Sequence, residues 1–430
     1  MSSTPAPTSA TPKSLSPDPN DFRFGYCTNV HAGTSLSEAK DNLLKYAAQV
    51  RQQVAPQGLL PVGLWLPEPA AMSLVDQSGV LDFRDWLHEH SFMPYTINGF
   101  PQGDFHQDVV KHAVYEPTWT CDTRTRYTLY LAEILEAILP DGGVGSISTL
   151  PLGWPHAPWN AEAMKTAADN LLQVAKFLER LTQQRGREIV LAIEAEPGCV
   201  LSAAEDMVEF FEHFLFSGPD RQLARRHLTV CHDICHSGVM FESQSAVLEL
   251  YRHAGMRIGK VQVSSAVHVA WDQCIGDPPR QAALAAQLRE LNEPKFLHQT
   301  VQQSGEQSGE QSGTGGRQWM LDDLPQALQR YASPDELSAG NYPTRPWRVH
   351  FHVPIFVEQF GQLQTTQSDI GEAIAYLQKH QSDSAGGAAW FTGHYEVETY
   401  AWTVLPSELA EANLASGIAR ELQYFDSILV

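Results

Sequence analysis

A parallel (β/α)₈ barrel is the fold class that this sequence predicts, and three observations predict it. Short β-type runs recur eight times, stretches of helical period lie between them, and the chain carries enough apolar material for one large core. It has 430 residues, 43% hydrophobic and only 18% charged, which excludes a mainly disordered protein. Its length would allow two or three domains, but a single barrel with insertions also reaches this size. In chain order the β runs are Phe22–Val30, Leu59–Leu66, Phe92–Asn98, Val144–Leu150, Ile189–Glu196, Leu228–Ile234, Ile258–Ser264 and Trp390–Tyr400. Ser37–Val54 repeats Leu43, Leu44, Ala47 and Val50 at the spacing of a half-buried helix, and Ala161–Gln183 does the same with Ala168, Leu171, Leu172, Ala175 and Leu178. Eight strands with helices between them are the sequence pattern of a closed parallel barrel.

Three segments fall outside that pattern. Residues 1–20 are rich in Ser, Thr, Pro and Ala, with one Lys and no apolar stretch, so they read as a disordered tail and not a signal peptide. That leaves 21–430 as a single barrel domain. Residues 302–317 read QQSGEQSGEQSGTGGR, a repeat with nothing to bury, expected to be a flexible surface segment. It belongs to a long insertion after strand seven. Within that insertion Trp347–Val353 is a ninth β-like run, expected to be an extended loop lying across the barrel mouth.

Charge and cysteine content narrow the partners. Acidic residues outnumber basic ones 50 to 29, a formal charge of −21, which repels phosphate backbones and anionic lipid and argues against nucleic acid. No apolar run approaches the roughly 18 residues of a membrane span. Six cysteines without disulfide-framework spacing favour a reducing compartment, and a cytoplasmic protein binding a small metabolite is the expectation.

In a barrel the reactive site forms where the carboxyl ends of the strands meet. Strand five ends Ile193-Glu194-Ala195-Glu196-Pro197-Gly198, with Glu194 and Glu196 two apart and so on one face. Strand six ends in Asp233-Ile234-Cys235-His236. Strand seven carries Lys260 and Gln262, and the last strand ends with Glu396 and Glu398. Buried carboxylates gathered there, with only Lys260 beside them, need a counter-charge. A divalent cation is the natural one, and oxygen-rich ligands with a few His suit Mg, Mn, Co or Zn. A lone Glu at a strand end is more often exposed or salt-bridged; four such features on successive strands are harder to explain by chance. His350 and His352 alternate on one run, either as site residues or as a satisfied core pair. His31, His106 and His298 lie in loops near strand ends as candidate substrate contacts. Cys231 and Cys235, with no second Cys pair at zinc-knot spacing, read as packing residues. Trp65, Trp154, Trp159 and Trp402 are either a stacking wall or core.

The order Glu196-Pro197, Asp233-x-x-His236, Gln262 and Glu398 resembles the xylose-isomerase-like barrels, which include sugar isomerases and epimerases, hydroxypyruvate isomerase and the type IV endonucleases. Gln262 in place of a His ligand is most similar to the hydroxypyruvate isomerase version. Longer strings, among them Gly25-Tyr26-Cys27-Thr28-Asn29-Val30-His31, Gly99-Phe100-Pro101-Gln102-Gly103-Asp104-Phe105-His106, Phe296-Leu297-His298-Gln299 and Glu396-Val397-Glu398-Thr399-Tyr400, resemble the EboE family of metabolite traffic proteins. The resemblance implies that Glu196 and Glu398 are both metal ligands and acid–base groups. It also implies that Asp233 and Gln262 complete the coordination, and that His236 holds a substrate oxygen. Glu194 and Glu396 stand behind them, each the supporting residue or the true ligand. In the endonuclease branch an Asp-x-His pair binds an additional zinc; here His350 stands where that branch has Asp. The implied function is metal-dependent isomerisation or epimerisation of a small hydroxylated or phosphorylated precursor, alongside other proteins of the same operon. The rival is a non-catalytic metabolite carrier on the same barrel. An endonuclease acting on abasic DNA is disfavoured by the charge and by the departures at Gln262 and His350.

Overall fold

The computed structural model describes residues 23–429 except 77, 157–158, 305–318, 410 and 412. The segment 1–20 and most of the Gln/Ser/Gly/Glu repeat, both expected to be unstructured, therefore lie outside the described residues. Eight parallel strands close into a barrel: Arg23–Cys27, Leu60–Leu64, Phe92–Asn98, Val144–Thr149, Glu188–Glu194, Leu228–Asp233, Ile258–Val263 and His394–Val397. The first strand pairs with both the second and the eighth, which completes the ring. Strand residues that face the surrounding helices, such as Ile147, Leu191, Val230 and Val261, are fully buried. Strands covered on both faces bury nearly every position, apolar toward the helices and at several places polar toward the barrel interior, as at Ser146, Ser148, Lys260 and Gln262.

Helices pack around the ring. The helix Ala161–Arg185 begins with Asn160 capping the Ala163 amide at 2.9 Å and ends at Gly186, whose φ of +76° is the left-handed turn that glycine adopts freely. It buries Ala168, Leu171, Ala175 and Leu178 on one stripe, the face set out by their spacing. The stretch Leu36–Val54 is helical throughout but carries one wider turn at Leu43–Ala47.

Between the seventh and eighth barrel strands the chain builds a second, antiparallel sheet in the order Trp319–Leu321, Thr300–Gln302, Trp347–Val349, Val267–Val269, Leu363–Thr365, Gln359–Phe360. This corrects the expectation for Trp347–Val353, which was a loop. Its first three residues form an inner strand hydrogen-bonded on both sides, and only residues 350–353 leave the sheet to run over the barrel. Gln302, the first residue of the repeat, closes the strand Thr300–Gln302. The second sheet has its own core of Trp271, Trp347, Leu284 and Leu288, which continues into Trp65, Phe105 and Tyr400 from loops at the carboxyl ends of the barrel strands. The sheet therefore roofs that end of the barrel. Among the described residues no helix is long and apolar enough to cross a membrane.

Candidate metal centre

Strand ends and caps place the acidic residues. Glu194 is the last residue of the fifth strand. Asp233 ends the sixth and at once caps the helix Ile234–Val239, so its Oδ1 accepts from the His236 amide at 2.9 Å and from Ser264 Oγ at 2.8 Å. The Asp-x-x-His spacing is thus an N-cap whose third helical residue is the His. Asp233 Oδ2 has no partner, nor do Glu194 Oε2 and both amide atoms of Gln262, all of them buried. Gln262 lies in register between Asp233 and Glu396. Ligand oxygens of Glu194, Asp233 and Glu398 lie within 4.8 Å of one another.

Unpaired buried acceptors of one sign cannot all stay charged without a cation. Burial, then Glu398 and Asp233, push the Glu194 carboxyl well above its ordinary range. Burial, then Asp233 and Glu396, push Glu398 up to about 8. Burial also raises Asp233, against the opposing pull of His352. A donor set of three carboxylates and an amide suits a divalent ion with oxygen preference, and the partnerless atoms show that these residues fit one.

A second set adjoins the first. His236 Nδ1 bonds the Ala195 carbonyl at 2.9 Å, His350 Nδ1 bonds Gln299 Oε1 at 2.7 Å, and His352 Nδ1 bonds the Glu398 carbonyl at 2.7 Å. Carbonyl oxygens only accept, so each Nδ1 carries the hydrogen. Burial holds His236 near about 3 and His352 near about 4, and drives His350 well below its ordinary value, so all three rings are neutral. Each Nε2 is then a bare lone pair, yet His350 Nε2 lies 3.2 Å from that of His236 and 3.3 Å from that of His352. Three lone pairs converging, each ring held at its far nitrogen by an oxygen, is the arrangement of imidazoles that share a cation. Glu196 joins this set through His236 and His350, and Cys235 approaches His350 and His352.

The two carboxylates expected to move protons are each anchored by one oxygen. Glu196 Oε1 accepts from the Tyr115 hydroxyl at 2.6 Å and Gln299 Nε2 at 3.2 Å. Burial raises Glu196 to about 8, and these two bonds limit the rise. Glu398 Oε1 accepts from Asn29 Nδ2 at 2.7 Å and Asn98 Nδ2 at 2.9 Å. Below them Lys260 Nζ sits 2.6 Å from Glu396 Oε2, both fully buried. Burial opposes the charge on Lys260, but Glu396 together with Cys231 and Cys27 outweighs it, and the ammonium is held charged.

Above these groups opens a cavity of about 550 Å³, including its mouth, lined by Glu194, Glu196, His236, His350, His352 and Glu398 on the floor side. The structure thus brings together Glu194, Glu196, Asp233, His236, Gln262, His350, His352 and Glu398. Glu396 lies deeper, on Lys260. His31, His106 and His298 do not line the cavity. His31 Nε2 bonds the Tyr26 hydroxyl at 3.0 Å, His106 Nε2 holds the Asn29 carbonyl at 2.6 Å, and His298 bridges Glu293 and the His350 carbonyl. They brace the loops that carry the site. None of Trp65, Trp154, Trp159 and Trp402 lines the cavity either; its rings are Phe100, Phe105, Tyr115, Phe296 and Tyr400. Sequence reasoning missed Asn29, Asn98, Tyr115 and Gln299. Asn98 carried a usable signal, because it is a polar residue ending an apolar strand.

No family model matches the chain, and no curated protein matches it. Solved structures do. A xylose isomerase-like TIM barrel protein from Mycobacterium smegmatis in complex with magnesium shares 10% identity at a TM-score of 0.47, covering 96% of this chain and 100% of that one. A xylose isomerase domain protein from Alicyclobacillus acidocaldarius shares 10% at 0.40, covering 95% and 98%. The IolI protein with a bound zinc atom shares 13% at 0.36, covering 56% and 73%.

Proposed function

We propose that this chain is a divalent-metal-dependent isomerase or epimerase of the xylose-isomerase-like type, acting on a small hydroxy-carbonyl metabolite. The observation that carries the reading is the set of partnerless buried donors, Glu194 Oε2, Asp233 Oδ2 and the Gln262 amide, beside Glu398 at the carboxyl end of a closed barrel. Glu194, Asp233, Gln262 and Glu398 would hold one cation; His236, His350, His352 and Glu196 would hold a second. Held there, a divalent cation would supply Lewis-acid polarisation of a substrate carbonyl.

The chain's own part is proton transfer. Isomerisation needs a proton taken from the carbon beside a carbonyl and returned to a neighbouring carbon or to the opposite face. Glu196 and Glu398 each have one oxygen tied down and one left to carry that proton. In the cell we place the protein in the cytoplasm, in an EboE-type metabolite-traffic pathway with other proteins of its operon.

Solvent-exchange NMR tests the reading. Protein loaded with Mn, Co, Zn or Mg should catalyse deuterium uptake at the carbon beside the carbonyl of hydroxyketones in D₂O. Glu196→Gln and Glu398→Gln should each lower that rate at least 100-fold. Metal-loaded protein that binds these compounds yet exchanges no C–H would favour the non-catalytic carrier instead.

A further inference from the structure

The floor of the cavity is polar, but its walls are not. Phe100, Phe105, Val110, Val114, Phe296 and Leu297 form most of the outer surface. Phe105, Phe296 and Tyr400 pack as one aromatic panel, with ring centroids 4.9 to 5.8 Å apart. The polar lining side chains are mostly spent on one another: Asn29 and Asn98 on Glu398, and Tyr115 on Glu196. Asn29 Oδ1 is a free acceptor, and it lies at the floor. A sugar with a hydroxyl on every carbon would bury several of them against carbon atoms, each without a partner.

Charge gives an independent constraint. Lys111 is the one Lys or Arg among the described lining residues, and its ammonium is already paired with Asp323. Apart from Lys111, the charged side chains of the lining are the carboxylates Glu194, Glu196 and Glu398 on the floor. A phosphate placed beyond the metal ligands, against these walls, would find no free cationic side chain.

Resting on the metal-centre reading, we infer that the substrate is neither a polyhydroxylated sugar nor a phosphate ester. The geometry points to a compound with a compact hydroxy-carbonyl head for the floor and an uncharged, apolar body of about ring size against the Phe105–Phe296–Tyr400 panel. Apolar walls gain from a body that leaves water with them and discriminate strongly against one that keeps its hydroxyls.

Four hydroxamates with a common chelating head test this by calorimetry on Mn-loaded and metal-free protein: acetohydroxamate, benzohydroxamate, threonohydroxamate and phosphoglycolohydroxamate. Benzohydroxamate should bind the Mn-loaded protein at least 10-fold more tightly than acetohydroxamate, with threonohydroxamate and phosphoglycolohydroxamate no tighter than acetohydroxamate. In Phe105→Leu and Phe296→Leu the ratio of benzo- to acetohydroxamate affinity should fall at least threefold, a ratio that a partly unfolded sample does not alter. Metal-dependent binding led by the threono or phospho compound, equal binding of the aceto and benzo compounds, or an unchanged ratio in both variants would overturn the inference and leave the metal centre standing. No metal-dependent binding of any of the four would instead overturn the metal-centre reading beneath it.

Discussion

Lys260→Met tests whether the barrel interior is electrostatically balanced as described. Lys260 Nζ lies 2.6 Å from Glu396 Oε2, and both side chains have no solvent exposure. At an effective dielectric near 20, two unit charges at that separation attract by about 6 kcal/mol, most of which offsets the cost of removing them from water. Deleting only the lysine leaves Glu396 buried without its partner, a loss of about 3–5 kcal/mol. Glu396 cannot turn to solvent, because its Oε1 sits against the Cα of Gly63; a Cβ built there would be 1.3 Å from it. With an m-value of about 4 kcal/mol per molar, the urea-unfolding midpoint at pH 8 should fall by roughly 1 M. Replacing both partners, as Lys260→Met with Glu396→Leu, should recover most of the stability. A midpoint within about 0.2 M of wild type for the single variant, or a double variant no better than the single, would refute the reasoning.

Gly63→Ala forces the same carboxylate aside and should cost about 3 kcal/mol or more by thermal or urea unfolding. Saturating Mn at about 100 times its Kd stabilises a metal-binding protein by about 2.7 kcal/mol. Spread over the unfolding entropy of a 430-residue chain, about 2.1 cal/mol/K per residue, that is a rise in Tm of about 3 °C. Scanning calorimetry should show the rise in wild type and a smaller one in Asp233→Asn, which keeps the Glu196–His236–His350 set. Glu242 offers a test on the pH axis away from the site. Burial, with Glu205 and Asp206 adding to it, raises its carboxyl to about 7 in the folded chain, against the ordinary value near 4.3 when unfolded. A raised acid favours folding while protonated, so its contribution is complete below about pH 4 and is lost as pH climbs through 7. Glu242→Gln can keep the bond from the Ala204 amide; it should be about 1–2 kcal/mol more stable than wild type at pH 8.5 and little different at pH 4.5.

The barrel was legible because its strands, four to seven residues long, are rich in apolar residues and recur between stretches of helical period. The roof was not. Its strands are two or three residues long, and Val267–Val269 pairs with Leu363–Thr365 nearly a hundred residues away, so no local period announces them. Glu194, Glu196, Asp233 and Glu398 could be placed at the mouth from strand ends alone. How Glu194 and Glu196 divide between the two sets could not be read, because the strand stops at Glu194 and the turn through Pro197 and Gly198, at φ +88°, redirects the chain beyond it. Asn29 shows its part only once barrel closure brings the turn after the first strand against Glu398. His31, His106 and His298 drew notice by residue type and loop position, yet each satisfies a bond within the scaffold.

Metal content of the purified protein, measured by mass spectrometry after incubation with Mn, Co or Zn and exhaustive dialysis, tests the central claim most directly. The account predicts at least one equivalent of metal in the wild type, with the loss of about one equivalent in both Asp233→Asn and Glu398→Gln. A wild type that retains no metal, or variants that retain as much as wild type, would contradict it.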